Sequence, residues 1–277
     1  MKKLDNNGFS LIEVVLILVV IVMVGALGWY SYSKKQDNKN ADGGPSNNSE
    51  KSSDVIWTGN GEGWSSTGGT APDCGDGPEF KMPVDISKVT SVLYPGQKRG
   101  GNYKAHGGFL FGGSKQNEVE VVAPIDSHLI KASRYIEQGE VQYFMVFSVP
   151  CGFAYRFDHL LTLTPEFQAV MDKLPKPEVD NSRTTNIDPP IKVKAGTKIA
   201  TGVGFKTNTG VDFGVYDVRQ PNEASKRSDF AKEHANFKEF DYYGVCFLNY
   251  FDSSTTSLLK ALPGGDQSAG KTSDYCE

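Results

Sequence analysis

Residues Phe9 to Trp29 form an apolar run whose only charge is Glu13. At roughly 20 residues, such a run is long enough to cross the hydrocarbon core of a bilayer as a helix. A carboxylate inside it costs on the order of a few kcal/mol and marks a functional position by default. The plainer alternative is a Glu13 near the interface that reaches back to water. Lys2 and Lys3 precede the run and Lys34 and Lys35 follow it, so positive charge on the two flanks nearly cancels and leaves the direction open. The run predicts a transmembrane helix over residues 9–35.

Ahead of it, a short polar leader, 1–8, ends in Gly8-Phe9-Ser10-Leu11-Ile12-Glu13. This stretch resembles the type III signal of type IV prepilins and pseudopilins. The resemblance implies a prepilin peptidase that cuts after Gly8 and methylates the new N-terminal residue, Phe9. It also implies that Glu13 faces the amino group of a neighbouring subunit, a pair that sets register even where it adds little stability. A secretory cleavage site lies after the apolar region, whereas this glycine lies before it, so the helix is expected to stay on the mature chain. The implied partners are the prepilin peptidase, other pilin-like subunits and the membrane assembly platform.

Beyond the helix the composition changes. Residues 36–54 are rich in Asn, Ser and Gly without apolar periodicity, and a second glycine-rich stretch, WTGNGEGWSSTGGTAPDCGDG, follows. Together they predict a flexible tether over 36–78, with Trp57 and Trp64 packed onto the edge of the next domain. Gly43-Gly44-Pro45 ends any continuation of the helix, unlike pilins, whose first helix continues along the globular head. From Phe80 onward the runs are short and β-prone. Val119–Pro124, His128–Ala132, Val141–Val149 and Phe153–Leu160 read as strands, with Pro150-Cys151-Gly152 as the turn between the last two. A short helix is expected over Glu166–Leu174 and an Asn/Asp/Pro-rich insertion over Pro175–Pro190. Ile191–Ala200 reads as strand, turn at Ala195-Gly196, and strand. Asp229–Phe240 predicts a short helix, Tyr242–Phe251 a final buried strand or helix, and Pro263–Glu277 a polar tail. Thirty glycines and a high aromatic share favour a β-rich, turn-rich domain. A net charge of −4 with interspersed signs carries no basic stripe, so nucleic acid is not an expected partner.

The four cysteines, Cys74, Cys151, Cys246 and Cys276, form an even set without a C-x-x-C pair. That fits disulfides in an oxidising exterior, the alternative being buried free thiols. Three connectivities are open; a polar tail finishing in Cys276 favours Cys246–Cys276 and, with it, Cys74–Cys151.

Several segments, in order, resemble the lysostaphin-type zinc endopeptidases, the β-lytic metallopeptidases that cut peptidoglycan cross-bridges. Val89–Gln97 followed by His106-Gly107-Gly108 is similar to their first strand and H-x-G-x-D motif. Val122-Ala123-Pro124 with Ile130-Lys131-Ala132 is similar to their next hairpin, and Phe157-Asp158-His159-Leu160 to their Y-x-H-L segment. Val193-Lys194-Ala195-Gly196 with Gly202 matches V-K-x-G-x-x-V-x-x-G, and Val211–Val215 falls where H-x-H-F-E-V belongs. The resemblance covers Asp85 to Asp217.

In that family a His and an Asp of the first motif and the second His of the last one hold zinc, and two further histidines serve catalysis. Zinc needs three protein ligands and an open position for the water it activates. Here His106 matches the first ligand, Leu110 stands at the aspartate, Asp212 at the ligand histidine and Gly210 at a catalytic one. His159 keeps the other catalytic position. The resemblance thus implies remnant metal positions at His106 and Asp212, a remnant catalytic residue at His159, and a lost metal site. The alternative is a tethered zinc endopeptidase whose site is rebuilt from His106 and Asp212 with Asp126 or Asp158. His128 and His234 follow no ligand spacing. Gly108–Lys115 lacks the Lys-Ser/Thr and helix of a phosphate loop.

The expected fold class is a mainly β ectodomain, an antiparallel sheet of the lysostaphin-type peptidase kind over 79–220, on a single N-terminal transmembrane helix, with a C-terminal extension over 221–277. The expected protein is a minor pilin-like or pseudopilin-like one that displays a catalytically degenerate domain for binding or assembly, in a type IV pilus or related secretion machinery. No cofactor is expected, zinc entering only under the alternative. The cell wall or a surface ligand is the further partner. The expected location is a single-pass membrane protein with its C-terminal domain outside the cytoplasm.

Overall fold

The run Val141–Val149 alternates Tyr143, Met145, Phe147 and Val149 with Gln142, Phe144, Val146 and Ser148, and both sets are buried. A strand that is apolar on both faces needs cover on both faces, and this requirement shapes the whole domain. The computed structural model describes residues 55–276. Thirteen strands run in chain order: β1 (Ile56–Gly59), β2 (Trp64–Thr67), β3 (Ser91–Leu93), β4 (Gln97–Arg99), β5 (Asn102–Lys104), β6 (Gly107–Leu110), β7 (Val121–Val122), β8 (Ser127–Glu137), β9 (Glu140–Val149), β10 (Phe153–Leu163), β11 (Thr185–Val193), β12 (Lys198–Val203) and β13 (Gly210–Asp217). The helices are short: α1 (Pro165–Met171), α2 (Ser228–Glu233), α3 (Lys238–Asp241) and α4 (Ser253–Ala261).

Nine strands form one antiparallel sheet in the order β11-β8-β9-β10-β13-β6-β3, with β12 paired to β10 and β7. Strand β10 changes partner part-way. It pairs with β13 as far as Asp158↔Asp212 and with β12 from Leu160↔Val203 onward. Between the two lies His159, in a bulge and with φ of 60°. One face of the sheet packs on the main core, where Phe213 is ringed by Phe80, Phe109, Phe157, Phe247 and Phe251. The other face carries Ala154, Tyr216, Ile130, Phe144 and Val146 and is covered by Trp57, Trp64, Phe240, Tyr243 and Tyr275.

The domain is mainly β, and no helix among the described residues is long and apolar enough to cross a membrane. The longest, α4, has 9 residues, well short of the roughly 20 a span requires. The expected fold class, which set the β domain on a transmembrane helix, is corrected to a mainly β domain for the described residues, and the single-pass membrane location finds no support among them. Residues 9–35, like the leader 1–8 with Gly8, Phe9 and Glu13, lie outside the described residues.

The tether expected over 36–78 is corrected from residue 55 onward, its earlier part lying outside the described residues. Residues 56–67 form the β1–β2 hairpin. Its anchors are apolar groups set in a glycine-rich frame: Val55 is fully buried, and the Trp57 indole N–H donates to Pro150 O at 3.1 Å. The insertion over Pro175–Pro190 is corrected in its second half, which is the start of β11, paired with β8. Tyr242–Phe251 holds a 3-10 turn, Phe247–Tyr250, rather than a strand. The 221–277 extension does not stand apart: Phe247, Leu248, Phe251 and Leu259 sit in the main core. Two disulfides are present, Cys74–Cys151 and Cys246–Cys276.

Candidate functional site

Strand β6 lies between β3 and β13, with Gly108 opposite Asp212 and Leu110 opposite Gly210. His106, just before β6, is thereby brought beside Asp212, and its Nε2 is 2.8 Å from Oδ2 of that carboxylate. Gly214 makes the approach feasible, since a Cβ there would stand 2.8 Å from the His106 Cβ and 2.6 Å from the Tyr216 hydroxyl. His159 reaches the same oxygen from β10, Nε2 to Asp212 Oδ2 at 3.6 Å. The left-handed φ of 60° is what aims it there. Bulges next to functional sites re-aim side chains in this way, and a non-glycine residue kept in this region costs about 1–3 kcal/mol. The other ring nitrogen of His159 is 3.3 Å from the Tyr135 hydroxyl, and the ring leans on Phe205 at 4.8 Å between centroids.

Burial raises the Asp212 pKa, but the charge and hydrogen bonding of His106, with His159 and Arg99 behind it, outweigh this and hold the carboxyl well below its usual range. Burial, then the Arg156 charge, pushes the His106 imidazole down to about 4, against the pull of Asp212. Both directions together describe an ionised Asp212 in close contact with a neutral His106. Arg99 fixes the turn below. Its guanidinium donates to Tyr94 O at 2.5 Å and to His106 O at 2.9 Å.

Asp158, one residue before His159, is fully engaged elsewhere. It accepts from Tyr135 at 2.7 Å, from Arg156 at 2.7 Å and from the His159 backbone N–H at 2.9 Å. Asp126 is remote from the cluster and pairs with Lys194 at 2.7 Å on the surface. Neither completes a metal site with His106 and Asp212. His234 is a buried structural residue, its Nδ1 2.8 Å from Asp241 Oδ2. Burial raises that carboxyl to about 6. His128 is buried on β8. The cysteines are all in disulfides, outside the cluster.

Zinc does not fit these residues. The two imidazoles meet the Asp212 carboxylate directly, at 2.8 Å from His106 Nε2 and 3.6 Å from His159 Nε2. Leu110 is aliphatic, and its Cδ2 lies 2.7 Å from where a Cβ on Gly210 would be, so it fills the space of any side chain at 210. Among the described residues no group of three or more His, Cys, Asp or Glu side chains could hold a metal ion.

Around the cluster opens a cleft of about 270 Å³, lined by Arg99, Lys104, His159, Phe205, Asn208 and Asp212 among others. Sequence reasoning finds His106, His159 and Asp212 but misses Arg99, Lys104, Phe205, Asn208 and Tyr135. For Arg99 and Lys104 a signal was available: Gln97-Lys98-Arg99-Gly100-Gly101-Asn102-Tyr103-Lys104 is a basic hairpin just ahead of His106. No family model, no curated protein and no solved structure matches the chain.

Proposed function

We propose that the chain is a pilin-like subunit that displays a metal-free, peptidase-like β domain as a binding module. The observation that carries the binding half is the Leu110–Gly210 pair across β6 and β13, adjacent to His106 and Asp212. An aliphatic side chain and a glycine occupy the positions where the resembled peptidases keep a metal ligand and a catalytic histidine. Hydroxide activation on a metal therefore has no seat, while the cleft keeps charged, amide and aromatic groups for recognition. The assembly half rests on Gly8-Phe9-Ser10-Leu11-Ile12-Glu13. In this reading prepilin peptidase cuts after Gly8, Phe9 is methylated, and Glu13 pairs with the N-terminus of a neighbouring subunit. The ligand of the module is a component of the cell wall.

Intact-mass analysis and a cell-wall pulldown of the full chain test both halves. The expected mass begins at N-methylated Phe9, with cleavage abolished in Gly8→Ala, and the protein is retained on insoluble cell wall. A chain that still begins at Met1 removes the assembly half. Absence of retention on cell wall removes the binding half.

A further inference from the structure

The cleft is short because the chain covers the rest of its own face. Beside Asp212 and Arg156, the β1–β2 hairpin and α3 lie over the sheet. Trp64 packs edge-on to Phe240 at 6.2 Å, and its indole N–H donates to Glu239 O at 2.6 Å. The Glu239 carboxylate takes the Gly61 N–H at 2.8 Å and Lys131 Nζ at 2.6 Å. The ion pair with Lys131 is nearly buried, with side chains 12% and 11% exposed. These contacts occupy the strands along which an extended polymer would lie. What stays open is the end of the face where β12 and β13 diverge, a space of about 270 Å³. Pockets that enclose whole drug-sized ligands measure about 300–1,000 Å³, so this one suits an end group.

Its lining is cationic on one side. Asp212 is the one carboxylate there, and it already faces His106 and His159. Lys104 lines the cleft, and its ammonium makes no hydrogen bond or ion pair among the described residues, while its backbone is held in the β4–β5 ladder. Arg99 directs its fork at Tyr94 O, Gln97 Oε1 and His106 O, which does not exhaust its N–H donors. The same cleft is also lined by Leu93, Leu110, Phe205 and Asn208. An unpaired ammonium and a partly used guanidinium next to a small apolar wall match a carboxylate joined to a compact side chain, with an amide one bond away.

Building on the binding reading above, we propose that this cleft captures the free C-terminal carboxylate of a short peptide. Lys104 and Arg99 meet the carboxylate, Asn208 the last amide, and Leu110 and Phe205 the terminal side chain.

The test is titration of the full chain with N-acetyl-alanyl-alanine as free acid, with the same dipeptide amidated, and with acetate alone. The free acid is expected to bind at least about tenfold more tightly than the amide, as for loss of one charge-assisted hydrogen bond. Lys104→Gln, a change at a side chain with no internal partner, should weaken the acid by about tenfold and leave the thermal midpoint unmoved. Acetate should bind more weakly than the dipeptide acid; equal binding would mean recognition of any small carboxylate and overturn the peptide assignment. Equal affinity for acid and amide, an unaffected Lys104→Gln, or no binding of any probe overturns the proposal. Retention on cell wall in that last case leaves the binding reading standing, and its loss removes both.

Discussion

His106 lies against Asp212 in a nearly water-free place, and this gives the fold a defined acid sensitivity. The His106 pKa falls from 6.5 to about 4 on folding, chiefly through burial. Between those values the unfolded chain binds more protons than the folded one, so stability falls as pH is lowered through the window. The shift corresponds to on the order of 3 kcal/mol. Asp212, held low, adds loss in the same direction at lower pH. Asp241, raised to about 6 by burial, acts oppositely as pH rises above 3.8. Urea midpoints between pH 7 and pH 4.5 should therefore drop in the parent chain and drop much less in His106→Gln, which cannot titrate. Parallel slopes in the two proteins would contradict the buried neutral histidine. Of these residues the sequence singles out His106, His159 and Asp212 only through segments that resemble a known peptidase family. It does not reveal that His159 is strained toward Asp212, because that follows from β10 changing partner between β13 and β12.

At the scale of elements, strands β8, β9, β10 and β12 are readable because propensity and burial act together there, whereas β13 is marked only by the peptidase resemblance. Val141–Val149 is β-prone and apolar on both faces, and either property alone would mark it. The end of strand β11, from Ile191, reads as strand, whereas its first part is hidden by Asp188-Pro189-Pro190, since prolines cannot donate to a ladder. They are accommodated because β11 is an edge strand whose register breaks between Asn186 and Ile191. The hairpin β1–β2 is hidden by its glycines, which dilute the two tryptophans that anchor it. The tail offers an element-scale test. Pro263 O accepts from the Val92 N–H at 3.0 Å, and the Gly265 N–H donates to Val92 O at 2.8 Å. The Asp274 N–H donates to Gly96 O at 2.9 Å. Side chains add to this: Gln97 Nε2 donates to Gly270 O and Thr272 O, and the Tyr275 hydroxyl donates to Asp241 O. The Cys246–Cys276 bond, which closes a 30-residue separation, adds roughly 3–4 kcal/mol in the chain-entropy account, enough for its loss to loosen the tail ahead of the sheet. Cys276→Ser should therefore be cut by trypsin at Lys271 while the sheet persists. A digestion pattern identical to the parent would show that the hydrogen bonds alone hold the tail.

Over the whole molecule, all the described residues fall within one compact unit, and the segments read from sequence as tether and extension serve as its cover. Residues 56–67 and 228–243 close the face that carries Arg156, Asp158 and Tyr216. Pattern reading missed this because cover depends on which surfaces meet, and neither segment is apolar enough to announce a partner. A short cleft stays open beside this cover, with His159 and Asp212 in its lining. On the function proposed above, this cleft takes its ligand without a metal. Zinc content of the full chain purified without chelator, measured beside His106→Ala and followed by incubation with cell-wall fragments, decides this. Equal, background zinc in both proteins and no new fragment ends are expected. Stoichiometric zinc that disappears in His106→Ala, with hydrolysis of the fragments, would contradict it.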